Sequence, residues 1–326
     1  MNVLITGGAG YIGSHTAKAM ARAGFTPVSL DNLSFGHVWA VKWGPLEKGE
    51  LADVEFVRRV VKQHKIEAVV HFAANAFVGE SMTDPRKYFQ NNVVNTLNLL
   101  NVMNDEGVKT FVFSSTCATY GDPIHVPIDE THPQNPVNPY GESKLFVEKM
   151  LKWYGHAYNL RWTALRYFNA AGADPDGEIG EDHDPETHLI PLVIQAAQGK
   201  RPHIGVFGAD YPTPDGTAIR DYIHVTDLAD AHVKSVQRLI NSRGGEASDA
   251  FNLGTGNGST VRQVIKAVEN VSGRNVNVVD SPRRPGDPPA LVADAKKANT
   301  MLGWTPKFPR IETIVGHAWK WHSKGK

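Results

Sequence analysis

The stretch Val3-Leu4-Ile5-Thr6-Gly7-Gly8-Ala9-Gly10-Tyr11-Ile12-Gly13 runs from an apolar segment straight into a glycine-rich turn. It predicts a strand over residues 3–6, a tight turn, and a helix over 14–23 that stops at Gly24. Glycine is the residue such a turn needs. The turn requires φ freedom, the backbone must come close to a pyrophosphate, and the helix N-terminus must face the anion. The spacing is G-x-x-G-x-x-G rather than the commoner G-x-G-x-x-G. The next apolar run, 27–30, ends at Asp31, 18 residues after Gly13. A carboxylate there accepts hydrogen bonds from a ribose and repels a 2′-phosphate, which favours NAD over NADP. A glycine turn with no ligand is the competing reading. The order strand, turn, helix, strand, acid weighs against it.

Working outward, strands and helices alternate. Asp53 is placed to N-cap a helix that carries Val54, Val57, Val61 and His64 on one face. Strands are predicted over 67–72, 110–114 and 162–168, and helices over 87–106 (closed by Gly107) and 140–154. Continuous apolar strands between helices indicate a parallel sheet covered on both faces. Residues 1–170 therefore read as a Rossmann-type, doubly wound α/β domain that binds NAD. Residues 171–326 are richer in Pro and Gly, with turn-rich segments at 210–216 and 281–289. Helices are predicted there over 189–198 and over 261–271, the latter with a capping box in Thr260 and Gln263 and a stop at Gly273. This half reads as a smaller α/β lobe that supplies a binding cleft.

Composition excludes several classes. The 326 residues are enough for about two structural units. Lys+Arg and Asp+Glu are both 34, so no basic excess points to nucleic acid or an anionic membrane. One cysteine, Cys117, rules out a disulfide framework and a Cys-based zinc site. No apolar run approaches the roughly 18 residues that span a bilayer, and no secretory leader is visible. A cytoplasmic protein is expected.

Tyr140-Gly-Glu-Ser-Lys144 puts a tyrosine and a lysine on one face of a helix. Tyrosine is a poor base at neutral pH. A nearby ammonium, together with a cationic nicotinamide ring, favours its phenolate. An exposed helix pair is the bland alternative. Position argues for chemistry, because the pair follows a strand that ends in Ser114-Ser115-Thr116, where a hydroxyl can bond a substrate oxygen.

These motifs, with others, resemble the extended short-chain dehydrogenase/reductase family and, within it, are similar to the UDP-glucose 4-epimerases. The resemblance covers essentially the whole chain. Beyond the glycine loop and the Tyr-Lys pair it rests on Asp31-Asn32-Leu33, the stretches 71–74, 78–81 and 91–93, Arg166-Tyr167-Phe168-Asn169, Arg220-Asp221-Tyr222-Ile223-His224 and Arg283-Arg284-x-Gly286-Asp287.

The resemblance implies an NAD-dependent 4-epimerisation of a UDP-sugar through hydride transfer at C4 and a 4-keto intermediate. NAD stays tightly bound and is not consumed. Tyr140 is the implied base, Lys144 holds the nicotinamide ribose, and Thr116 orients the sugar oxygen. Gly7, Gly10, Tyr11, Ile12, Gly13, Asp31, Asn32, Glu50, Leu51, Phe72, Ala73, Ala74, Asn91 and Phe168 are implied for NAD, beside Tyr140 and Lys144. Thr116, Asn169, His188, Leu189, Arg220, Tyr222, Arg284, Asp287 and Leu291 are implied for the UDP-sugar. Arginine forks suit a pyrophosphate. A homodimer through the helices over 87–106 and 140–154 is also implied.

Four positions depart from the family pattern or vary within it. Thr116 stands where many relatives have Ser, Glu50 where an Asp is expected, Ala76 where some have an NAD-contacting Lys, and His188 where an Asn faces the uridine. The sugar stays open. Leu291 is intermediate between a bulky Tyr that excludes an acetamide and a small residue that admits it, and the stretch 114–121 is similar to that of UDP-xylose and UDP-arabinose epimerases. UDP-glucose/UDP-galactose is the expected pair, with UDP-N-acetylglucosamine and the pentoses as alternatives.

A 4,6-dehydratase would need an acidic pair after Thr116, where the chain has Cys117-Ala118. A net reductase is disfavoured by Asp31, and a non-catalytic NAD-sensing scaffold has little need of Tyr140, Lys144 and a hydroxyl together. The acidic and histidine-rich run 181–188 is expected to be a solvated loop with no metal. Cys117 is expected to be a small residue near the sheet.

Overall fold

The first apolar run forms an inner strand. Val3, Leu4 and Ile5 are fully buried in β1 (Asn2–Thr6), which pairs in parallel with β2 (Thr26–Asp31). The structure is a computed structural model that describes residues 1–242, 247–284 and 286–324. β3 (Leu46–Lys48), β4 (Ala68–His71), β5 (Thr110–Thr116) and β6 (Arg161–Tyr167) extend the same parallel sheet in the order β3-β2-β1-β4-β5-β6. It is a doubly wound sheet, as expected.

The first-half helices are α1 (Tyr11–Arg22), α2 (Val54–Gln63), α3 (Val78–Thr83), α4 (Pro85–Tyr88), α5 (Asn95–Asp105) and α6 (Pro139–Tyr158). Local chemistry sets their ends. Asp53 caps α2 by accepting from the Phe56 N–H, and Asn138 caps α6 by accepting from Gly141 N–H, with Pro139 in the first turn. Asn159 in the left-handed region (φ 56°) ends α6, so the helix runs past the expected residue 154. α1 begins at Tyr11 rather than 14, because Gly10 is its N-cap. The helix expected over 87–106 is interrupted by a π-helical turn, Phe89–Val94, between α4 and α5. Such turns recur at functional sites.

The second half contributes β7 (Asn169–Ala171), α7 (Leu189–Ala197), β8 (Ile204–Phe207), β9 (Ile219–Arg220), β10 (Tyr222–His224), α8 (Val225–Asn241), β11 (Asp249–Leu253), β12 (Ser259–Thr260), α9 (Val261–Ser272), β13 (Val278–Ser281), β14 (Ala290–Leu291), α10 (Lys296–Leu302) and α11 (Ile311–His322). The division expected at residue 170 is crossed here. β11 joins β6 in parallel as the seventh strand, because Phe251 and Leu253 are fully buried against the sheet. α8 packs on α1 over one sheet face, where Met20, Val236, Leu239 and Phe251 share a core. α2, α5 and α6 cover the other face through Val57, Leu99, Val147 and Leu151. A third core, from α7, α9 and α11, lies within the second half.

Candidate active site

One cleft of about 920 Å³ opens above the carboxyl ends of β1, β2, β4, β5 and β6, the place where a doubly wound sheet binds ligands. The three catalytic candidates line it, as do all the cofactor candidates: Gly7, Gly10, Tyr11, Ile12, Gly13, Asp31, Asn32, Glu50, Leu51, Phe72, Ala73, Ala74, Asn91, Tyr140, Lys144 and Phe168.

At the floor, glycine is required by space. Gly7 has φ +71°, and a Cβ there would meet the Ala73 backbone N at 2.8 Å; a Cβ on Gly13 would meet the Gly7 carbonyl O at 2.1 Å. The N-terminus of α1 thus comes up against the cleft, and no side chain caps it, so its N–H groups face the space an anion would occupy. Asp31 is oriented by its neighbours. Its carboxylate accepts from Ala9 N–H at 2.9 Å and from Leu33 N–H at 2.8 Å, while burial raises its pKa. Asn32 donates to Glu50 at 3.2 Å beside it. Crowded glycines, an uncapped helix start and a fixed carboxylate together fit a dinucleotide.

Thr116 ends β5, and Tyr140 and Lys144 sit one turn apart near the start of α6. Lys144 Nζ lies 5.9 Å from the Tyr140 ring centroid, 4.9 Å from that of Phe113, and donates to the Ser114 carbonyl at 2.9 Å. The expected help of the ammonium to the phenolate is not what the protein alone provides. Burial pushes the Tyr140 phenol up, although the neighbouring Thr116 hydroxyl works the other way. Burial also lowers Lys144 to about 7. Both groups prefer their neutral forms in this low-dielectric wall.

A buried network stands behind the Thr116–Tyr140 wall. Glu148, on α6, accepts from Ser115 Oγ at 2.6 Å and from the Arg166 fork at 2.9 and 2.5 Å. Arg166 also donates to Tyr120 Oη at 2.8 Å, whose hydroxyl donates to Asn252 at 2.6 Å. Sequence reasoning missed Glu148, Tyr120 and Asn252. The one available signal was a lone Glu on the apolar side of a helix, at the i+4 position from Lys144. Cys117 meets its expectation: it lies on the cleft beside the sheet, and burial raises its thiol to about 12.

On the opposite side, Asn169, His188, Arg220, Asp287 and Leu291 line the cleft. β7 pairs Asn169 with Tyr222 of β10, and β14 pairs Leu291 with Arg220 of β9. The Arg220 guanidinium forms an ion pair with Asp287. Leu189, Tyr222 and Arg284 are not among the lining residues. Leu189 packs against the third core, Tyr222 is buried in it, and Arg284 stacks over the Phe207 ring at 4.1 Å. Pro285, the variable position of the 283–287 motif, lies outside the described residues.

The loop 181–188 departs from the solvated reading. The Glu181 and Glu186 side chains are 3% and 7% exposed, with His183 and His188 beside them. Glu181 and His183 line the cleft, and the His183 ring packs edge-on to Tyr11. Burial would lower His188, but Glu181 and Glu186 outweigh it and raise the imidazole to about 10. Burial likewise opposes ionisation of Glu181, yet His188 and His183 bring it down to about 2.

Residues 3–254 match the NAD dependent epimerase/dehydratase family. Over the full length, the chain is similar to the UDP-glucose 4-epimerase of Rhizobium meliloti, with 53% identity across 99% of this chain and 97% of that protein. Among solved structures it is similar to the UDP-glucose 4-epimerase of Brucella ovis in complex with NAD (51% identity, TM-score 0.94, 97% and 96% of the two chains). It is also similar to that of Bifidobacterium longum in complex with NAD+ and UDP (38% identity, TM-score 0.94, 100% and 99%).

Proposed function

The chain belongs to the NAD dependent epimerase/dehydratase family, and we propose that it is an NAD-dependent enzyme that inverts C4 of UDP-glucose, giving UDP-galactose. The observation that carries this reading is the single cleft that joins the glycine floor, the Tyr140–Lys144 pair and the Arg220–Asp287 side. Relatives named for this activity, and crystallised with NAD and UDP, support it.

Gly7, Gly10 and Gly13 would cradle the NAD pyrophosphate, and Asp31 with Asn32 the adenosine ribose. Tyr11, Ile12, Glu50, Leu51, the run Phe72, Ala73 and Ala74, Asn91 and Phe168 would flank it. Bound NAD would supply reversible hydride chemistry at sugar C4, with no net oxidation of the sugar. Tyr140 removes the proton of the 4-hydroxyl and later gives it back, and Thr116 holds that oxygen beside it. Lys144, fixed by the Ser114 carbonyl, holds the nicotinamide ribose beside the phenol. The Glu148–Arg166 pair keeps α6 and β5 in register behind these groups.

Asn169, His188, Arg220 and Asp287 would anchor UDP while the sugar turns. Leu189, Tyr222 and Arg284 would act from behind or beside the wall. Leu291 on the cleft makes UDP-N-acetylglucosamine the second candidate sugar. Among the described residues no helix is long and apolar enough to cross a membrane. A cytoplasmic homodimer through α5 and α6 belongs to the same proposal; the outward Phe146 and Trp153 of α6 are 48% and 71% exposed.

The test is proton NMR of the purified protein with UDP-galactose and no added NAD. Conversion to UDP-glucose at the equilibrium ratio is expected. No conversion, with NAD supplied and with N-acetylated and pentose substrates also tried, would overturn the reading.

A further inference from the structure

The loop 181–188 gathers four metal-ligating side chains, of which the proposed reaction uses only His188, on the cleft wall. Glu181, His183, Glu186 and His188 each offer one donor atom, and these atoms all lie within 4.8 Å of one another. His188 Nδ1 stands 2.7 Å from Glu181 Oε1 and 3.2 Å from Glu186 Oε1; His183 Nδ1 stands 3.2 Å from Glu181 Oε1 and 3.9 Å from Glu186 Oε2. A tetrahedral zinc with bonds of ~2.05 Å has ligand-to-ligand edges of about 3.3 Å. The four separations bracket that value.

Two further observations point to a cation. Glu181 Oε1 is buried without a hydrogen bond of proper direction, and so is His183 Nδ1, although both face the cluster. A buried carboxylate oxygen in that condition is costly unless a charge meets it, and the partners in reach are the His188 and His183 imidazoles at 2.7 and 3.2 Å. Among the described residues, no Lys or Arg comes within 4.0 Å of Glu181 or Glu186. The contrast with a second acidic cluster among the described residues is direct. Asp174, Asp176 and Glu178 gather round the ammonium of Lys18, at 2.7, 3.0 and 2.6 Å.

The donors are also held by the loop's own backbone and by contacts from outside it. The Thr187 and His188 N–H groups donate to Glu186 Oε1 at 2.8 and 2.9 Å. Trp321 Nε1 donates to the Glu181 main-chain carbonyl at 3.0 Å, and Tyr11 backs the His183 ring. Outer partners of this kind orient metal ligands.

We propose that Glu181, His183, Glu186 and His188 form a binding site for one divalent transition-metal ion of the zinc type. Two carboxylates and two imidazoles balance a double positive charge, and mixed nitrogen and oxygen donors suit zinc or cobalt rather than magnesium or calcium. The ion would pin the loop that walls the cleft against Tyr11, a positioning role outside the reaction itself.

The test uses the full-length enzyme, chelator-treated, dialysed and titrated with Co²⁺ while the visible spectrum is recorded, with Zn²⁺ in a parallel calorimetric titration. One ion per chain is expected, with the intense visible bands of four-coordinate Co²⁺, displaced by Zn²⁺. Glu181→Gln and His183→Asn should each weaken binding at least about 10-fold, while Asp176→Asn at the Lys18 cluster leaves it unchanged. Circular dichroism checks that the variants fold, and the wild-type titration stands without them. Absence of the Co²⁺ bands in folded wild type, or bands retained by both ligand variants, would overturn the site and leave a plain carboxylate–imidazolium pair.

Discussion

Lys144 Nζ donates to the main-chain carbonyl of Ser114 at 2.9 Å, which ties the first turns of α6 to the end of β5. That bond fixes the lysine where burial depresses it to about 7, against 10.5 in the unfolded chain. Between those two values the unfolded chain holds a proton that the folded protein has lost. Stability therefore rises with pH from 7 to 10.5, by at most about 1.4 kcal/mol per pH unit from this group. Urea unfolding of nucleotide-free wild type and Lys144→Met at pH 7 and pH 9 measures it. The advantage of Met over Lys should shrink as pH rises; an unchanged difference would refute the depressed lysine.

Tyr140→Phe removes the acid/base hydroxyl and leaves the ring, its contact with Tyr88 and the Lys144–Ser114 bond in place. Positioned proton transfer contributes about 10²–10⁴-fold. The variant should lose that much kcat and still co-purify with NAD. A loss below about 10-fold would take the base role away from Tyr140.

Glu148 and Arg166 form a buried pair, 1% and 5% exposed at their side chains. Burial opposes the charge on Glu148, and Arg166 outweighs it, holding the carboxyl below its ordinary range. Glu148→Gln strands the guanidinium, and the expected cost is about 3–5 kcal/mol of folding stability. The double variant Glu148→Leu/Arg166→Met should recover much of it. If the single variant denatures at the wild-type urea midpoint, the pair does not hold the wall.

Four histidines are buried in their neutral form. Burial lowers His71 and His224 to about 3, and His15 and His232 to about 4, from 6.5. Their contribution is complete above pH 6.5 and is lost as pH falls below it, since the unfolded chain then binds protons the folded one refuses. Together they give a slope of about 5–6 kcal/mol per pH unit near pH 5. Urea midpoints at pH 7, 6 and 5 should fall steeply, and less steeply in His232→Phe. A flat profile would mean that these rings take up protons in place.

The sheet was legible because its strands are continuous apolar runs and its first turn is marked by glycine. Only a turn that crowds Gly13 against the Gly7 carbonyl demands that spacing. The seventh strand was not legible, since Asp249–Leu253 is short and follows a long unread helix. At the cleft, residue types were readable while their electrostatics were not. Nothing in Tyr-x-x-x-Lys says that both groups are enclosed. The run 181–188 looks hydrated by composition, and only the tertiary contacts with Tyr11 and Trp321 bury it. Tyr222 and Arg284 sat in specific motifs, yet the pairing of β10 and the ring of Phe207 turn them from the cleft.

The late arrival of β11 has a consequence for how the chain is made. Until residue 253 has left the ribosome, β6 presents an unpaired outer edge, and such edges recruit strands from other chains. A fragment ending near residue 170 should therefore clump, while one reaching past Leu253 has closed that edge. Protein synthesis, in effect, runs with this adhesive edge uncovered for the whole span between β6 and its last neighbour.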